Sequence, residues 1–253
     1  MNVRPRPVAA EPVIPEGPSV RATCATYDLC VCRAASPAWT PPSDTAFDLQ
    51  RPAHVVPARR IVFRENELND AVPVICEGWA ASIVMLSDGS RQILSFLLPG
   101  DLVSTALLFQ SQTHCLVEAI TEVRYRTFTH SELKASLFHN PGFFEKVSKA
   151  WLEEKARLDQ LIVDLGRRTA EERIARLILG LQQRLARRGM VQPESMEMDF
   201  PLRQHHIADA VGLTPVHVSK VLSEFRRSGI LKISDRSLTI VEPAGFRRIA
   251  HMR

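Results

Sequence analysis

The stretch LTPVHVSKVL, residues 213–222, spaces its polar and apolar side chains as a helix with one exposed face would. Serine, lysine and histidine can hydrogen-bond to the edges of DNA bases, and valine can pack on a thymine methyl group. The stretch therefore predicts either an ordinary amphipathic surface helix or a helix that contacts a partner such as DNA, and the residues around it favour the second interpretation. Its base-reading face would carry Val216, His217, Ser219 and Lys220, and its buried face Val218, Val221 and Leu222.

The residues around this stretch have the pattern of a helix-turn-helix. In QHHIADAVGLTPVHVSKVLS, which begins at Gln204, the fifth residue is Ala208 and the ninth is Gly212. The small alanine permits two helices to approach closely, and the glycine permits the left-handed backbone of the turn. Thr214 suits the N-cap of the second helix, and Pro215 suits its first position. An ordinary helical hairpin is the alternative interpretation.

Two short segments in which apolar and polar residues alternate follow this helix. They predict a β-hairpin, so that the domain resembles a winged helix. They are residues 230–233 and 237–241, and Arg236 lies in the turn between them. Arg236 could contact a phosphate or could simply be an exposed turn residue. Residues 203–253 hold nine Lys or Arg and four acidic residues, whereas the whole chain has a net charge of only +4. This local surplus suits a polyanionic partner, although a solvated surface produces it too.

Upstream, residues 60–128 alternate short apolar runs with turn signals, which predicts an all-β barrel or sandwich. The runs include residues 61–63, 82–86 and 92–98, and one turn is Pro99-Gly100-Asp101. Residues 1–57 contain ten of the 17 prolines and show no sustained period, which is typical of a disordered arm.

After Asn140-Pro141-Gly142, the apolar residues recur with the spacing of an α-helix. A seam with steps of three and four residues predicts a coiled-coil contact between two copies of the chain. Its members are Phe144, Val147, Trp151, Leu158, Leu161 and Leu165, with Glu154 as the polar exception. The alternative is a helix packed on its own barrel. Thr169-Ala170-Glu171-Glu172 has the form of a capping box that opens the next helix.

These features predict an α+β protein in four parts. Residues 1–57 form the arm, 58–140 a jelly-roll sensor barrel, 141–166 the dimerisation helix and 167–253 the winged helix-turn-helix domain. No apolar run is long enough to cross a bilayer, and the N-terminus lacks a secretory signal, so we expect a cytoplasmic protein. In such a reducing compartment the five cysteines would be thiols or ligands rather than disulfides.

Three segments in this order resemble the Crp/Fnr family of bacterial transcription regulators over about residues 60–245. They are DGSRQILSFLLPGDLVS (88–104), TAEERIARLIL (169–179) and RQHHIADAVGLTPVHVSKVL (203–222). The resemblance implies a cyclic-nucleotide-binding-like jelly roll, a long dimer helix and a winged helix. It also implies a homodimer on a palindromic DNA operator, whose half-sites lie about one helical turn apart. Activation of transcription would further require contact with RNA polymerase.

The chemistry of two branches of the family can be checked against the residues. Members that bind cyclic nucleotides carry a Gly-Glu and an Arg-Ser/Thr-Ala after the Pro-Gly-Asp turn. Here residues 102–120 contain no arginine to pair with a phosphate, so we do not expect cyclic AMP to bind. Oxygen-sensing members hold a four-iron cluster on three N-terminal cysteines and one barrel cysteine.

The candidate cluster ligands here are Cys24, Cys30 and Cys32, whose spacing is not that of the family. Arg124 stands at the barrel position of the fourth ligand, where Cys76 or Cys115 could substitute. A redox-active thiol and inert cysteines are the alternatives. Haem bound through His54 or His114 is not supported by any spacing.

The resemblance also assigns roles within the DNA-reading domain. Val216 and Lys220 stand where well-known members carry a glutamate and an arginine that read base pairs, and Ser219 keeps the serine of that pattern. We therefore expect an operator that differs from the usual half-site. From their positions around the helix, we expect contacts with the phosphate backbone from Arg203, Gln204, Thr214, Ser223, Arg226, Arg227 and Arg236. For Arg203 and Gln204, a solvated helix start is the alternative interpretation.

Two other classes of function remain open from the residues. A cupin-like metalloenzyme would need a His and Glu cluster on adjacent strands, but His54, His114 and His130 have no paired spacing. A signal-independent DNA-binding protein would keep a degenerate barrel. The regulator hypothesis places an unidentified signal at the barrel or at the N-terminal cysteines, and it assigns no catalytic activity.

Overall fold

Two antiparallel sheets of short strands form the N-terminal part of the computed structural model, which describes residues 53–66, 71–192 and 195–251. The strands are β1 (His54–Val56), β2 (Ile61–Phe63), β3 (Ala71–Glu77), β4 (Ala80–Met85), β5 (Arg91–Leu97), β6 (Leu116–Ala119) and β7 (Val123–Thr129). One sheet has the order β1-β7-β3, and the other has the order β2-β6-β4-β5. Together with the helices that follow, they confirm the predicted α+β class with a jelly-roll-like N-terminal domain.

The sheets enclose an apolar core because their strands alternate in the side chains that they turn inward. Val74 on β3, Leu97 on β5 and Val117 on β6 belong to this core. The strands β4 and β5 are buried on both faces. Ala81 and Ile83 on β4 and Ile93 on β5 pack into a second core, which they share with the C-terminal helices. The sheet β2-β6-β4-β5 and the C-terminal helices are therefore joined by a common apolar interface.

Two features of this half differ from the sequence prediction. The prediction placed His54–Val56 in the N-terminal arm, but these residues form β1, which pairs with Val123–Tyr125 of β7. An alternating pattern only three residues long cannot be recognised among prolines. A helix, α1 (His130–His139), also follows β7, where the prediction had only barrel. Thr129 and Glu132 form a capping box at its start.

The long helix α2 (Pro141–Arg167) begins as the sequence indicates. Asn140 is its N-cap and accepts a hydrogen bond from the Phe143 amide, and Pro141 occupies the first turn. It ends at Arg167, one residue beyond the predicted boundary. None of the helices in the described ranges is long and apolar enough to span a bilayer.

The predicted seam of α2 does not form a single face. Val147 is 4% exposed and lies in the core of its own barrel, so it cannot contact another chain. Leu158, Leu161 and Leu165 are half-buried, and the last two line a cavity that opens to solvent, so their dimer role stays a prediction. Phe144 and Trp151 are exposed, as a dimer contact requires. The seam is wrong for Val147, because a helix packed against two domains has apolar residues on more than one side.

Glu154, the polar member of the seam, has a structural role. Its carboxylate accepts hydrogen bonds from the hydroxyl of Thr105, at 2.6 Å, and from the Thr105 amide, at 3.4 Å. Thr105 begins a short 3-10 helix, Thr105–Leu108, whose residues Leu107 and Leu108 are completely buried. Glu154 therefore fixes this segment of the barrel against α2.

The C-terminal part is a helical domain with a small sheet. Its elements are α3 (Ala170–Arg187), β8 (Glu197–Asp199), α4 (Gln204–Val211), α5 (Pro215–Arg227), β9 (Leu231–Ser234), β10 (Ser237–Ile240) and α6 (Pro243–Ile249). The capping box at Thr169 and Glu172 opens α3 as predicted. The predicted hairpin β9–β10 is present, and β8 adds a third strand on the outer side of β10. Phe225 and Phe246 meet edge to face in the core, with ring centroids 5.5 Å apart.

A buried ion-pair cluster joins the barrel to α3. Asp101, in the Pro-Gly-Asp turn after β5, pairs with Arg184 at 2.7 Å and also with Arg188. The same carboxylate accepts a hydrogen bond from the Leu98 amide at 2.8 Å, while Arg188 donates to the Pro99 carbonyl at 2.7 Å. Burial alone would raise the pKa of Asp101, but the two arginines outweigh it and hold that pKa below its usual value. The carboxylate is thus ionised between the domains.

Replacement of this carboxylate should weaken the whole assembly. Asp101→Asn keeps the shape of the side chain but leaves Arg184 and Arg188 buried without their counter-charge. We expect the free energy of unfolding, measured by urea denaturation, to fall by about 3 kcal/mol. Asp88→Asn, at an exposed turn, should leave it almost unchanged. Equally small losses in both variants would show that the cluster does not stabilise the protein.

Candidate nucleic-acid interface

The helix α5 begins at the residues that the sequence predicts. Thr214 has extended backbone angles, and its hydroxyl accepts a hydrogen bond from the His217 amide at 3.2 Å. Pro215 takes the first helical position, where its missing N–H costs nothing. The N-terminal turn of α5 is therefore fixed by its own sequence.

The two faces of α5 separate as predicted. Val218, Val221 and Leu222 are 0%, 4% and 5% exposed and hold the helix on its own domain. Val216 is 67% exposed, His217 and Lys220 are also exposed, and Ser219 is half-buried. The outward face therefore presents one apolar, one cationic and two hydrogen-bonding side chains. Their contacts with bases stay a prediction.

The turn between α4 and α5 depends on Gly212. Its φ of 64° and ψ of 43° place it in the left-handed region, which glycine adopts at little cost. A Cβ atom at this position would lie 2.9 Å from Cδ2 of Leu165, so α2 occupies the space beside the turn. Ala208, the small residue of the motif, is 1% exposed at the contact between the two helices. Both residues thus have the roles that the motif implies.

The residues predicted to contact the phosphate backbone are all exposed. Arg203 and Gln204 lie at the start of α4, and the Gln204 amide group donates to the Ser219 hydroxyl at 3.4 Å. Arg236 lies in the two-residue turn of the wing, between the paired residues Ser234 and Ser237. The remaining members of the set, Thr214, Ser223, Arg226 and Arg227, lie along α5 or at its N-cap. Arg203, Gln204 and Arg226 line one surface hollow together with Asp235 of the wing turn.

Two of these arginines have neighbours on their own helix. Arg226 donates to the Ser223 hydroxyl at 3.0 Å, and Arg227 pairs with Glu224. Arg227 would have to leave its carboxylate partner, or share it, to bind a phosphate. Arg226 faces a neutral partner, so its charge is available to a polyanion.

His206 is a buried element of the interface that the sequence motif does not single out. It is 7% exposed, and its Nδ1 accepts a hydrogen bond from the Arg203 amide at 3.1 Å, which caps the start of α4. Burial, reinforced by the neighbouring His205, lowers the pKa of His206 from 6.5 to about 4. A neutral ring is what the cap requires, because a protonated Nδ1 cannot accept a hydrogen bond.

Polar contacts hold α4 on the sensor sheet, and sequence reasoning missed them. Arg91 on β5 forms ion pairs with Asp209 on α4 at 3.5 Å and with Glu118 on β6 at 3.2 Å. The side-chain amide of Gln92 donates to the Ala210 carbonyl at 3.3 Å. The first helix of the DNA-reading motif therefore rests directly on the barrel. The position of α4 on the barrel depends on contacts between residues far apart in the sequence, so no local sequence pattern could have predicted it.

The barrel was compared with three kinds of ligand site: a nucleotide phosphate site, a cysteine-bound cluster and a metal site. Leu102, Leu107 and Leu108, in the segment where nucleotide-binding relatives hold a phosphate, are buried in the apolar core. The proposed cluster ligands Cys24, Cys30 and Cys32 lie outside the described residues. Within the described ranges, no group of three or more His, Cys, Asp or Glu side chains could hold a metal ion.

The other residues considered for metal, haem or cluster chemistry have ordinary environments. Arg124 pairs with Glu77 at 3.5 Å on the barrel surface. His54 stacks on Tyr125 with ring centroids 5.0 Å apart, and Nε2 of His130 is hydrogen-bonded to the Leu107 carbonyl at 2.6 Å. Cys76 and Cys115 are half-buried. These contacts do not favour a cupin-like metal site.

Two domain families match the chain in the order that the structure has them. Residues 53–140 match the cyclic nucleotide-binding domain, and residues 172–249 match the Crp-like helix-turn-helix domain. The first range covers the two sheets and α1, up to the N-cap of α2. The second covers α3 to α6.

Individual relatives extend over most of the chain. The transcriptional activatory protein AadR of Rhodopseudomonas palustris is 27% identical over 93% of this chain and 95% of its own. The nitrogen fixation regulation protein FixK of Bradyrhizobium diazoefficiens is 27% identical over 75% of this chain and 78% of its own. The solved structure of FixK2 from Bradyrhizobium japonicum is 27% identical, covers 78% of this chain and 96% of its own, and superposes with a TM-score of 0.69.

The buried cap at His206 should make stability depend on pH. Its folded-state pKa lies below the unfolded value, so only the unfolded chain takes up this proton between about pH 6.5 and 4. This group should therefore lower the free energy of unfolding by up to about 3 kcal/mol as the pH falls through that range.

The measurement compares urea denaturation at pH 7 and pH 4.5 in two variants. In His206→Asn the side-chain oxygen can take over the role of Nδ1, and the loss of stability on acidification should shrink. His139→Asn, at an exposed histidine on α1 that does not act on His206, should lose as much stability on acidification as the unmodified protein does. An unchanged pH dependence in His206→Asn would show that this histidine is not the titrating group.

Proposed function

Because the chain belongs to the Crp/Fnr family of transcription regulators, we propose that it binds a palindromic DNA operator as a homodimer. One α5 helix would enter the major groove at each of two half-sites, about 34 Å apart. The single observation that carries the proposal is the outward face of α5, where Val216, His217, Ser219 and Lys220 project from a helix anchored by buried valines. The protein would work in the cytoplasm, where its DNA is.

Each exposed side chain of α5 would have a distinct task in the groove. Lys220 would donate to O6 and N7 of a guanine, without the fixed fork of an arginine. Val216 would pack on a thymine methyl group, and His217 and Ser219 would donate or accept hydrogen bonds. Arg203, Gln204 and Arg236 would orient the domain on the phosphates.

The proposed dimer would form through the exposed side of α2. Phe144, Trp151 and Ile162 are 58%, 59% and 70% exposed, and their separations of seven and 11 residues are close to whole helical turns. Leu152 and Val163 are exposed beside them. This apolar stripe differs from the seam predicted from the sequence, and exposed apolar patches often mark an interface between proteins. A two-fold arrangement of the stripe would place the two α5 helices for a palindrome.

The regulator would respond to a signal and act without catalysis. The relative from Rhodopseudomonas palustris is named a transcriptional activatory protein, and we extend the proposal to contact with RNA polymerase. The alternative is a protein whose DNA binding is independent of any signal. The packing of α4 on β5 favours regulation, because a change in the sensor sheet would reach the DNA-reading motif directly.

Specific binding should depend on Lys220. We expect Lys220→Ala to weaken binding to an operator selected from randomised duplexes by about 1–3 kcal/mol, and to relax the preference at one base pair. Lys134→Ala removes an exposed lysine on α1 and should leave affinity unchanged. Binding would be measured by fluorescence anisotropy on selected and random duplexes. Equal losses on both would reduce Lys220 to a phosphate contact.

Dimerisation should depend on Trp151. Trp151→Glu places a charge in the centre of the stripe, and we expect the dimer dissociation constant from sedimentation equilibrium to rise at least about thirtyfold. Phe138→Glu removes an even more exposed aromatic ring from α1, 84% against 59%, and should leave the dissociation constant unchanged. A Trp151→Glu protein that dimerises normally would exclude this face.

A further inference from the structure

A cavity of about 420 Å³ lies between the sensor sheet and the DNA-binding domain. Its walls come from β5, the C-terminal half of α2, α3 and the end of α4. Small-molecule sites in proteins usually measure about 300–1,000 Å³, so the space suits a compact organic molecule. It lies outside the apolar core between the two sheets, in which the buried leucines of the Thr105–Leu108 segment are packed.

Most of the cavity wall is apolar. Ile93 and Phe96 contribute from β5, Leu161 and Leu165 from α2, and Leu181 from α3. Gly180 on α3 also lines the space, and a Cβ atom built on it would meet no atom within 4 Å. The wall therefore offers an apolar surface with room beside it.

The charged residues of the wall are mainly cationic. They are Arg157, Arg173, Arg176, Arg184 and Arg187, with Glu153 and Asp164 as the only acids among them. Asp164 is paired with Arg176 at 2.9 Å, and Glu153 lies 3.4 Å from Arg187 and 4.0 Å from Arg157. The acids are thus already engaged, and the wall keeps a positive surplus.

Some of this cationic hydrogen-bonding capacity is unused. Arg173 donates to the carbonyls of Arg168 and Val211, and no carboxylate in the described ranges pairs with it. Arg184 is 9% exposed, and its Nε has no hydrogen-bond partner among the described residues; the same holds for the buried Nε of Arg157. A buried donor without a partner costs free energy, so an acceptor at this wall would be favoured.

We propose that this cavity binds a small amphipathic organic anion, with its apolar body against the leucines and its anionic group toward Arg157 and Arg184. The apolar wall and the cationic surplus are both accounted for by one molecule of this kind. A purely apolar ligand would leave the arginine donors without acceptors. A small inorganic anion would leave the apolar wall unfilled.

This inference rests on the proposed function and names the chemistry of its signal. The ligand would touch β5 of the sensor sheet and Val211 at the end of α4, the first helix of the DNA-reading motif. A ligand that contacts both domains favours the domain arrangement in which both contacts are made. DNA binding would then follow the concentration of the anion.

The first experiment uses purified full-length protein without DNA, so that it is independent of the proposed regulator role. Anilinonaphthalene sulfonate, itself an apolar anion, should bind with increased fluorescence. Decanoate and decanol, which share a tail but differ in charge, then compete with the dye. We expect decanoate to displace it at concentrations at least about tenfold lower than decanol. Equal displacement by both would show an apolar cavity without an anion site.

Variants locate the binding. Gly180→Leu places a side chain in the cavity and should abolish dye binding, whereas Gly166→Leu makes the same change on α2 at a position that does not line it. Arg157→Gln should weaken competition by decanoate about tenfold and leave decanol unchanged. Thermal unfolding checks that each variant is folded.

Three outcomes would overturn the proposal. Dye binding that survives in Gly180→Leu would place the dye elsewhere, for example on the exposed stripe of α2. An unchanged competition by decanoate in Arg157→Gln and in Arg184→Gln would remove the arginines from the site. Dye binding that appears only in the monomeric Trp151→Glu protein would show that a second copy of the chain fills the cavity.

Discussion

The arrangement of the two domains depends on the carboxylate of Asp101 between Arg184 and Arg188. An ionised carboxylate is expensive to bury, and here two guanidinium groups and a backbone amide compensate for its lost hydration. Because Asp101 belongs to the turn after β5 and both arginines belong to the end of α3 or its cap, the cluster fixes the barrel against the helix that leads into the DNA-reading motif. The apolar interface of β4 and β5 then packs in a defined register.

The helix α2 has three different surroundings along its length. Val147 completes the core of the barrel, Leu165 fills the space beside Gly212, and Trp151 remains exposed. Three separate demands on one helix explain why its apolar residues are so numerous and why they do not lie on one stripe. A motion of α2 relative to the barrel would move Leu165 against the turn between α4 and α5. The proposed dimer contact and the DNA-reading motif are therefore mechanically linked.

The sequence predicts the local features of this molecule well because their causes are local. Thr214, Pro215 and Gly212 act through the backbone of their own turn, so their spacing alone places α4 and α5. The spacing of the α2 seam predicts a dimer contact for Val147, but Val147 packs in the core of its own barrel. The ion pair between Arg91 and Asp209 joins residues far apart in the sequence, so no local pattern of apolar residues predicts it. The apolar runs of β4 and β5 did contain a sign of burial on both faces.

The outward face of α5 has a consequence for how such proteins diverge. The side chains of Val216, His217 and Lys220 form no hydrogen bond or ion pair within the described part of the chain, and the fold does not require them. Substitutions at these positions are therefore almost neutral for folding, while under the proposed mode of DNA reading they would change which base pairs are favoured. A lineage could acquire a new operator by drift at three codons, with the scaffold held constant by the buried valines. The residues proposed to set the preference for a DNA sequence and the residues that stabilise the fold thus lie on opposite faces of one helix.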